Sequence, residues 1–217
     1  MNIFSKIIQR SSLKRFLILL FLFALFLSFS AISYVNAISN SISSSVFRLH
    51  IIANSNSDED QRLKYLIRDD ILEYIDEMTE NLNYVDEVIT FAENNIEEIR
   101  TIAQNTIHAN GYTYTVNTQI GNFRFPTKQY GDITFPPGFY NALKIEIGES
   151  IGNNWWCVMF PPLCFVDVSS GIVPDSSREV IRENLLAEEY RLISGNSPDI
   201  RVTFRVLEMF QSINARI

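Results

Sequence analysis

Both cysteines of the chain lie in the segment NWWCVMFPPLCFVD, residues 154–167, which also holds both tryptophans. Six residues separate Cys157 from Cys164, and Pro161 and Pro162 lie between them. Because proline fixes φ and cannot donate to a sheet, the two prolines predict a turn or a sheet edge. A chain reversal there would bring the cysteines within disulfide distance. So short a loop would gain at most about 2–3 kcal/mol from the bond.

Two other kinds of cysteine chemistry need more residues than this segment supplies. A thiolate nucleophile needs a histidine base that is itself oriented by Asn or Asp, and Cys157 or Cys164 with His50 and Asn54 is the combination on offer. A zinc site commonly takes four Cys or His ligands, and the chain holds two of each. No G-x-S-x-G turn, P-loop or dinucleotide fingerprint occurs. We therefore expect a disulfide, no metal and no cofactor, and keep the cysteine nucleophile as the alternative.

The same segment also suggests a surface for a partner. Trp155 and Trp156 next to the rigid turn at Pro161 and Pro162 would form a compact apolar platform, and tryptophan is enriched in binding hot spots. The alternative is that the strand only fills the core. In a regular strand the two tryptophans point to opposite faces, so one is expected in the core and the other at the surface. We predict a disulfide-closed hairpin that displays part of a partner-binding surface.

The N-terminal residues have the pattern of an export signal. A basic stretch precedes an uncharged apolar run over residues 16–29, and small residues follow, which is the order of a secretory signal. The small residues around Ala37 predict cleavage after it. The alternative is a retained anchor that contacts the membrane, because residues 16–35 approach the roughly 20 that span a bilayer. The basic flank in both cases places the rest of the chain outside the cytoplasm.

The predicted domains follow from this segment. Residues 1–37 form the signal peptide or anchor, residues 38–45 a flexible polar tether, and residues 46–217 the exported domain. Four basic and no acidic residues precede position 38, so the remainder carries 14 basic and 25 acidic residues, a formal net charge of −11. Such a chain repels phosphate backbones, and we expect no nucleic-acid partner.

The hydrophobic patterns predict an α+β fold. Residues 46–53 alternate as a strand, with Arg48 and His50 on its polar face. Ser57 then predicts a helix N-cap, with Asp60 as its reciprocal partner. Helices are predicted over residues 57–78, 85–109 and 176–195, short strands between residues 112 and 160, and a final strand over residues 201–210. The expected architecture is a single domain of two N-terminal helices, a mostly antiparallel sheet and one further helix.

Two stretches resemble the stage II sporulation protein R family of endospore-forming bacteria. They are residues 47–72, with RLHIIANS followed by DQ, and residues 123–167, with NWWCVMFPPLCFVD. The closing VTFRVLEMF also fits, so that the resemblance covers essentially the whole exported chain. Asn56 stands where an acidic residue is expected and Asp70 where a small apolar residue is expected.

The resemblance implies a signal rather than an enzyme, and it carries over no catalytic residue. Members of the family are made in the forespore and exported into the intermembrane space of the sporulation septum. There they activate a membrane-embedded aspartic protease of the mother cell, which processes a pro-sigma factor. The alternatives are an envelope cysteine hydrolase that uses Cys157 or Cys164 with His50, and a structural septal protein. The residues predicted to contact the protease are Arg48, His50, Asn54, Trp155, Trp156, Pro161 and Pro162.

Overall fold

The computed structural model describes residues 3–79, 82–164 and 173–194. The chain divides into two compact units, Met1–Ser39 and Asn40–Ile217. Helix α1, Ile3–Ser44, makes up the described part of the first unit, and its last five residues, 40–44, are counted with the second unit. In the described ranges, no helix is both long enough and apolar enough to cross a membrane. The strand predicted over residues 201–210 lies outside those ranges.

The second unit is an α+β domain, as predicted, and its described part holds five helices after α1 and six strands. In chain order these are β1 Phe47–Ile52, α2 Asp58–Thr79, α3 Val85–Asn94, α4 Ile96–Ala109, β2 Val116–Phe125, β3 Lys128–Tyr130, β4 Ile133–Phe135, β5 Gly138–Ile147, β6 Asn154–Phe160, α5 Asp175–Asn184 and α6 Ala187–Ile193.

The predicted tether over residues 38–45 is mostly helical, because α1 continues to Ser44. Serine hydroxyls there donate back to carbonyls of the preceding turn, as between Ser43 and Asn40 O at 2.9 Å. The Ile42 side chain is buried. Serine hydroxyls can also bond nearby backbone groups in turns, which is why a serine-rich stretch favours a loop. Here they bond carbonyls within the helix instead. Ala37 lies exposed within α1, and cleavage after it stays a prediction.

Four strands form one sheet in the order β2-β5-β1-β6, and β3 pairs with β4 in a separate hairpin. Strand β1 lies parallel to β5 and antiparallel to β6, while β2 and β5 are antiparallel. The sheet is therefore mostly antiparallel, as predicted. The parallel pair is the exception, since three helices and the strands β2, β3 and β4 lie between β1 and β5 in the chain, rather than a tight turn.

One face of the sheet carries the hydrophobic core. In-register side chains of β1 and β5 on this face, such as Leu49 beside Leu143 and Ile51 beside Ile145, are fully buried. Helices α2 and α4 pack against the sheet and against each other. The buried residues of α2 recur at three- and four-residue steps, as expected for a helix that lies on a core.

Two predicted helices are each divided into two. The helix over residues 85–109 breaks at Asn95, whose side-chain amide donates to Phe91 O at 2.8 Å and so caps α3. The helix over residues 176–195 breaks where Leu185 and Leu186 adopt extended backbone angles. The carboxylate of Glu189 then accepts from Leu186 N at 3.0 Å at the start of α6. In both places a side chain satisfies a helix-end backbone group and makes the interruption stable.

Candidate partner-binding site

The second face of the sheet holds Arg48 and His50, which are buried rather than turned to solvent. Arg48 is 0% exposed and His50 is 9% exposed. The strand alternation was predicted correctly, but the polar face was expected to meet water or a partner. Aromatic side chains from neighbouring strands, among them Phe125, Tyr140 and Trp156, cover it instead.

The Arg48 guanidinium lies between two aromatic rings. Its central carbon is 4.1 Å from the ring centre of Phe125 and 4.6 Å from that of Tyr140, which is cation–π geometry. The hydroxyls of Tyr130 and Tyr140 lie nearby, yet Nε, Nη1 and Nη2 all lack a hydrogen-bond partner of acceptable geometry in the described structure. Burial lowers the pKa of Arg48. A buried charge of this kind is unfavourable unless an acceptor pairs with it.

The two tyrosines cannot supply that acceptor as phenolates. Burial raises the pKa of Tyr130 to about 12 and also raises the pKa of Tyr140, so both stay neutral at physiological pH. As neutral hydroxyls they keep lone pairs near the guanidinium but carry no negative charge. The Tyr140 hydroxyl donates to Pro136 O at 2.6 Å, and the Tyr130 oxygen accepts from Val158 N at 3.0 Å. Among the described residues, no carboxylate forms an ion pair with Arg48.

His50 stacks on Trp156 with ring centres 5.5 Å apart and meets the ring of Phe125 edge-on at 5.9 Å. Its Nε2 lies 2.7 Å from the side-chain oxygen of Asn154. Because an amide oxygen only accepts, Nε2 carries the proton. Burial lowers the pKa of His50, so the neutral ring predominates at pH 7. Within the part of the chain that the structure describes, Nδ1 then holds a buried lone pair without a partner.

We expect the burial of His50 to make the domain less stable in mild acid. The unfolded chain, with an ordinary histidine pKa of about 6.5, binds a proton at a higher pH than the folded chain does. Stability therefore falls as the pH drops from about 6.5 through the lowered pKa, with a slope of at most about 1.4 kcal/mol per pH unit for one group. Lys144 opposes protonation of His50 and Glu146 favours it. Urea unfolding between pH 8 and 5 measures the effect.

The matched control is His108→Gln, since His108 is exposed at the end of α4. His50→Gln should flatten the pH dependence of unfolding above pH 5, whereas His108→Gln should leave it unchanged. Equal slopes for the His50→Gln variant and the unaltered chain would show that His50 takes up its proton without unfolding the domain.

Asn54, which is predicted to contact a partner, is hydrogen-bonded to the start of α2 and to the turn after β5. Its amide nitrogen donates to Asp60 Oδ2 at 2.8 Å, and its oxygen accepts from Glu149 N at 3.0 Å. Ser57 caps α2 as predicted, by accepting from Asp60 N at 3.2 Å. The predicted reciprocal bond is replaced by a bridge through Ser55: Ser57 N donates to Ser55 Oγ at 3.1 Å, and Ser55 Oγ donates to the Asp60 carboxylate at 2.6 Å. Asn54 thus positions the end of β1.

Trp155 and Trp156 point to opposite faces, as predicted, but both are half-buried rather than one core and one exposed. Trp155 lies on the helical side, where it meets the edge of Tyr65 at 5.5 Å. The Arg68 guanidinium lies 4.5 Å and Lys128 Nζ 5.7 Å from the Trp155 ring centre. This second cluster is cationic too, although Asp69 pairs with Arg68 at 2.6 Å.

The predicted disulfide is confirmed. Cys157 and Cys164 are bonded, with their Cα atoms 5.1 Å apart. Pro161 and Pro162 form the turn between them, after a cis peptide bond at Phe160–Pro161. Pro161 is buried and Pro162 is exposed. In the ranges that the structure describes, no group of three or more His, Cys, Asp or Glu side chains could hold a metal ion.

The geometry does not assemble the cysteine–histidine pair of the hydrolase alternative. Leu49 lies opposite Cys157 in the register, while His50 lies opposite Trp156. Neighbouring residues of a strand point to opposite faces, so His50 and Cys157 are on different sides of the sheet. While the disulfide is intact, neither sulfur can act as a thiolate.

The structure therefore brings together Arg48, His50 and Trp156 on one face and places the other candidate contacts elsewhere. Sequence reasoning missed Phe125 and Tyr140, which enclose the guanidinium, because they come from β2 and β5. A period-two pattern in β5 does put Tyr140 on one face together with Lys144. This pattern could have shown that Tyr140 and Lys144 share a face of β5, but not that β5 pairs with β1.

Comparison with known proteins gives the family. Residues 43–170 match the stage II sporulation protein R family. A curated relative, "Stage II sporulation protein R" of Bacillus subtilis (strain 168), is 40% identical over 124 residues, which are 57% of this chain and 55% of the relative. The chain thus matches about half the length of that relative. No solved structure shows a significant match. The chain belongs to the stage II sporulation protein R family, as its motifs predicted.

Proposed function

We propose that this chain is an exported signalling protein of sporulation. In this proposal it leaves the forespore, enters the intermembrane space of the septum and activates a membrane-embedded aspartic protease, which then cleaves a pro-sigma factor. The observation that carries the proposal is the family match over residues 43–170. The N-terminal order of basic, apolar and small residues supports export or anchoring, and an internal disulfide is typical of proteins outside the cytoplasm.

The proposed mechanism is a shift in the protease's conformational equilibrium. A ligand moves such an equilibrium only through its different affinity for the two states. The signalling domain would therefore bind the active state of the protease better than the inactive state, through an extracytoplasmic surface. The face with Arg48, His50 and Trp156 is the preferred contact, because in the described structure its guanidinium and indole donors are buried without partners. Such groups gain most from an acceptor that a partner supplies.

Reconstitution tests the proposal. We expect cleavage of the pro-sigma factor in a non-sporulating host only when this chain and the matching protease are expressed together. A Cys157→Ser, Cys164→Ser double change should leave cleavage detectable, because the signal needs a folded surface and not a thiolate. Loss of cleavage in that variant with the fold retained would favour cysteine chemistry. No cleavage with the unaltered chain would contradict direct activation.

A substitution pair locates the contact in the same assay. Arg48→Gln should abolish cleavage, whereas Arg100→Gln should not, since Arg100 is a half-exposed residue of α4 paired with Glu97 at 2.7 Å. Circular dichroism and secretion levels would establish that both variants fold. A folded Arg48→Gln variant that signals normally would remove this face from the proposal while leaving the function intact.

A further inference from the structure

The polar atoms left without hydrogen bonds are concentrated on one face of the sheet. In the described structure, six buried side-chain nitrogens have no partner, and five of them belong to Arg48, His50 and Trp156. The sixth, on Trp155, points to the other face. Native proteins pair more than about 90% of buried polar groups. Five unpaired atoms on three neighbouring side chains therefore require an explanation.

The three side chains are neighbours across one strand pair. Trp156 lies directly opposite His50, and Arg48 lies opposite Val158, which makes Arg48 and Trp156 diagonal neighbours. Diagonal Cα atoms are about 7–8 Å apart, which is within reach of long side chains on the same face. The guanidinium nitrogens and the indole Nε1 are all donors and cannot accept. Among the described side chains of this face, four unpaired donor nitrogens on Arg48 and Trp156 therefore stand against one unpaired acceptor, His50 Nδ1, and none of these atoms carries the negative charge that would balance the guanidinium.

We propose that this cluster of Arg48 and Trp156 binds a carboxylate group. A guanidinium offers parallel N–H groups in a fork that matches the two oxygens of a carboxylate, and the indole N–H adds one further donor. A bound carboxylate would also neutralise the buried charge. The lowered pKa of Arg48 is consistent with a site that lacks its counter-charge.

The residues beside Arg48 in the sheet are small. Beside Arg48 in the register lies Ala142, and beside Ala142 lies Gly121. Neither of these two residues has a side chain that could accept a hydrogen bond from the guanidinium. The half-buried ring of Phe123 lies over Gly121, 3.4 Å from where a Cβ would be.

Arg48 is closed from water, so binding requires a covering ring to move. Trp156 is half-buried, belongs to the last strand of the four-stranded sheet and stacks on His50. Rotation of this indole opens the cluster and turns its N–H toward the ligand. The motion makes Trp156 fluorescence a direct report of binding.

A titration of the full chain in non-ionic detergent tests the site, with Trp155→Phe as background so that Trp156 is the single tryptophan. Sodium acetate at constant ionic strength, with sodium chloride as the reference salt, should change the fluorescence saturably in the millimolar range. Arg48→Met should weaken the apparent affinity at least about tenfold, and Arg100→Met should not alter it. The same response to acetate and chloride, or an unchanged affinity in a folded Arg48→Met variant, would overturn the proposal.

Two peptides then distinguish the sources of the carboxylate. A short Gly-Ser peptide with one central glutamate and blocked ends is compared with acetate and with its glutamine counterpart. Tighter binding of the glutamate peptide than of acetate identifies an acidic side chain of a protein partner. Acetate binding as tight as the peptide identifies a small carboxylic acid. Equal binding of the glutamate and glutamine peptides, with no acetate binding, overturns the site. The titration contains no protease, so this inference and the proposed signalling function can fail separately.

Discussion

Replacing Arg48 with methionine is expected to stabilise the domain by about 1–3 kcal/mol while it removes signalling. The guanidinium is fully buried, and none of its three nitrogens is hydrogen-bonded in the described part of the chain. An unmet buried polar group costs roughly 1–3 kcal/mol, and more when it is charged. The cation–π contacts with Phe125 and Tyr140 offset only part of this. An apolar chain of similar length keeps the packing and removes the unpaired charge.

Urea denaturation of the Arg48→Met variant and the unaltered chain measures the difference. The unfolding midpoint should rise at an unchanged m-value, which indicates that stability and not compactness has changed. Arg100→Met serves as the control and should stay within about 0.5 kcal/mol, as exposed substitutions usually do. A destabilised Arg48→Met domain would mean that the guanidinium has a strong partner in solution and would argue against an empty acceptor position.

A residue that destabilises the fold and is nevertheless buried at a cluster of unpaired donors is best explained by function. Strain and unmet polar groups persist at binding sites because they are relieved when the ligand arrives. The opposite outcomes expected for stability and for signalling in one variant separate this explanation from a structural role. A purely structural arginine would lose both stability and signalling together.

The sequence predicted the architecture of the strand and helices but not the environment of their polar residues. Alternation over residues 46–53 located β1 correctly, and the proline pair located the turn between the cysteines. An arginine that alternates with apolar residues normally faces water. It is buried here because Phe125 of β2 and Tyr140 of β5 cover it. These strands are far from β1 in the sequence, so the residues around Arg48 give no sign of the pairing.

The helix boundaries show the same limit. The apolar stripe over residues 85–109 continues through Asn95, since α3 and α4 both face the core. The backbone angles of Asn95, φ −113° and ψ 18°, show that the helix is interrupted there, and its side chain donates to Phe91 O. Asparagine can equally lie on the exposed side of a continuous helix, so its presence in the sequence does not decide between the two.

Gly152→Ala is expected to destabilise the domain by about 2–4 kcal/mol. A Cβ at this position would lie 2.2 Å from Ser55 O and 2.9 Å from Ala53 O, both of which are backbone atoms. Gly152 N donates to Ala53 O at 2.9 Å, so the two segments are held at this distance by a hydrogen bond. The extra methyl group must push the turn away from the end of β1. The nearby bond from Asn153 N to Asn56 Oδ1 at 2.7 Å would be strained as well.

The control for this substitution is Gly121→Ala in β2, where a Cβ would meet only the ring of Phe123, at 3.4 Å. A side chain can rotate where a backbone carbonyl cannot, and a strand glycine loses more entropy on folding than alanine does. We expect the Gly121→Ala change to stay within about 1 kcal/mol, so that its urea midpoint lies well above that of Gly152→Ala. Equal midpoints for the two variants would show that the turn at Gly152 yields easily. The segment after β1 that holds Asn54 would then not be fixed by its contact with that turn. The position of Arg48 would depend only on the strand pairing within the sheet.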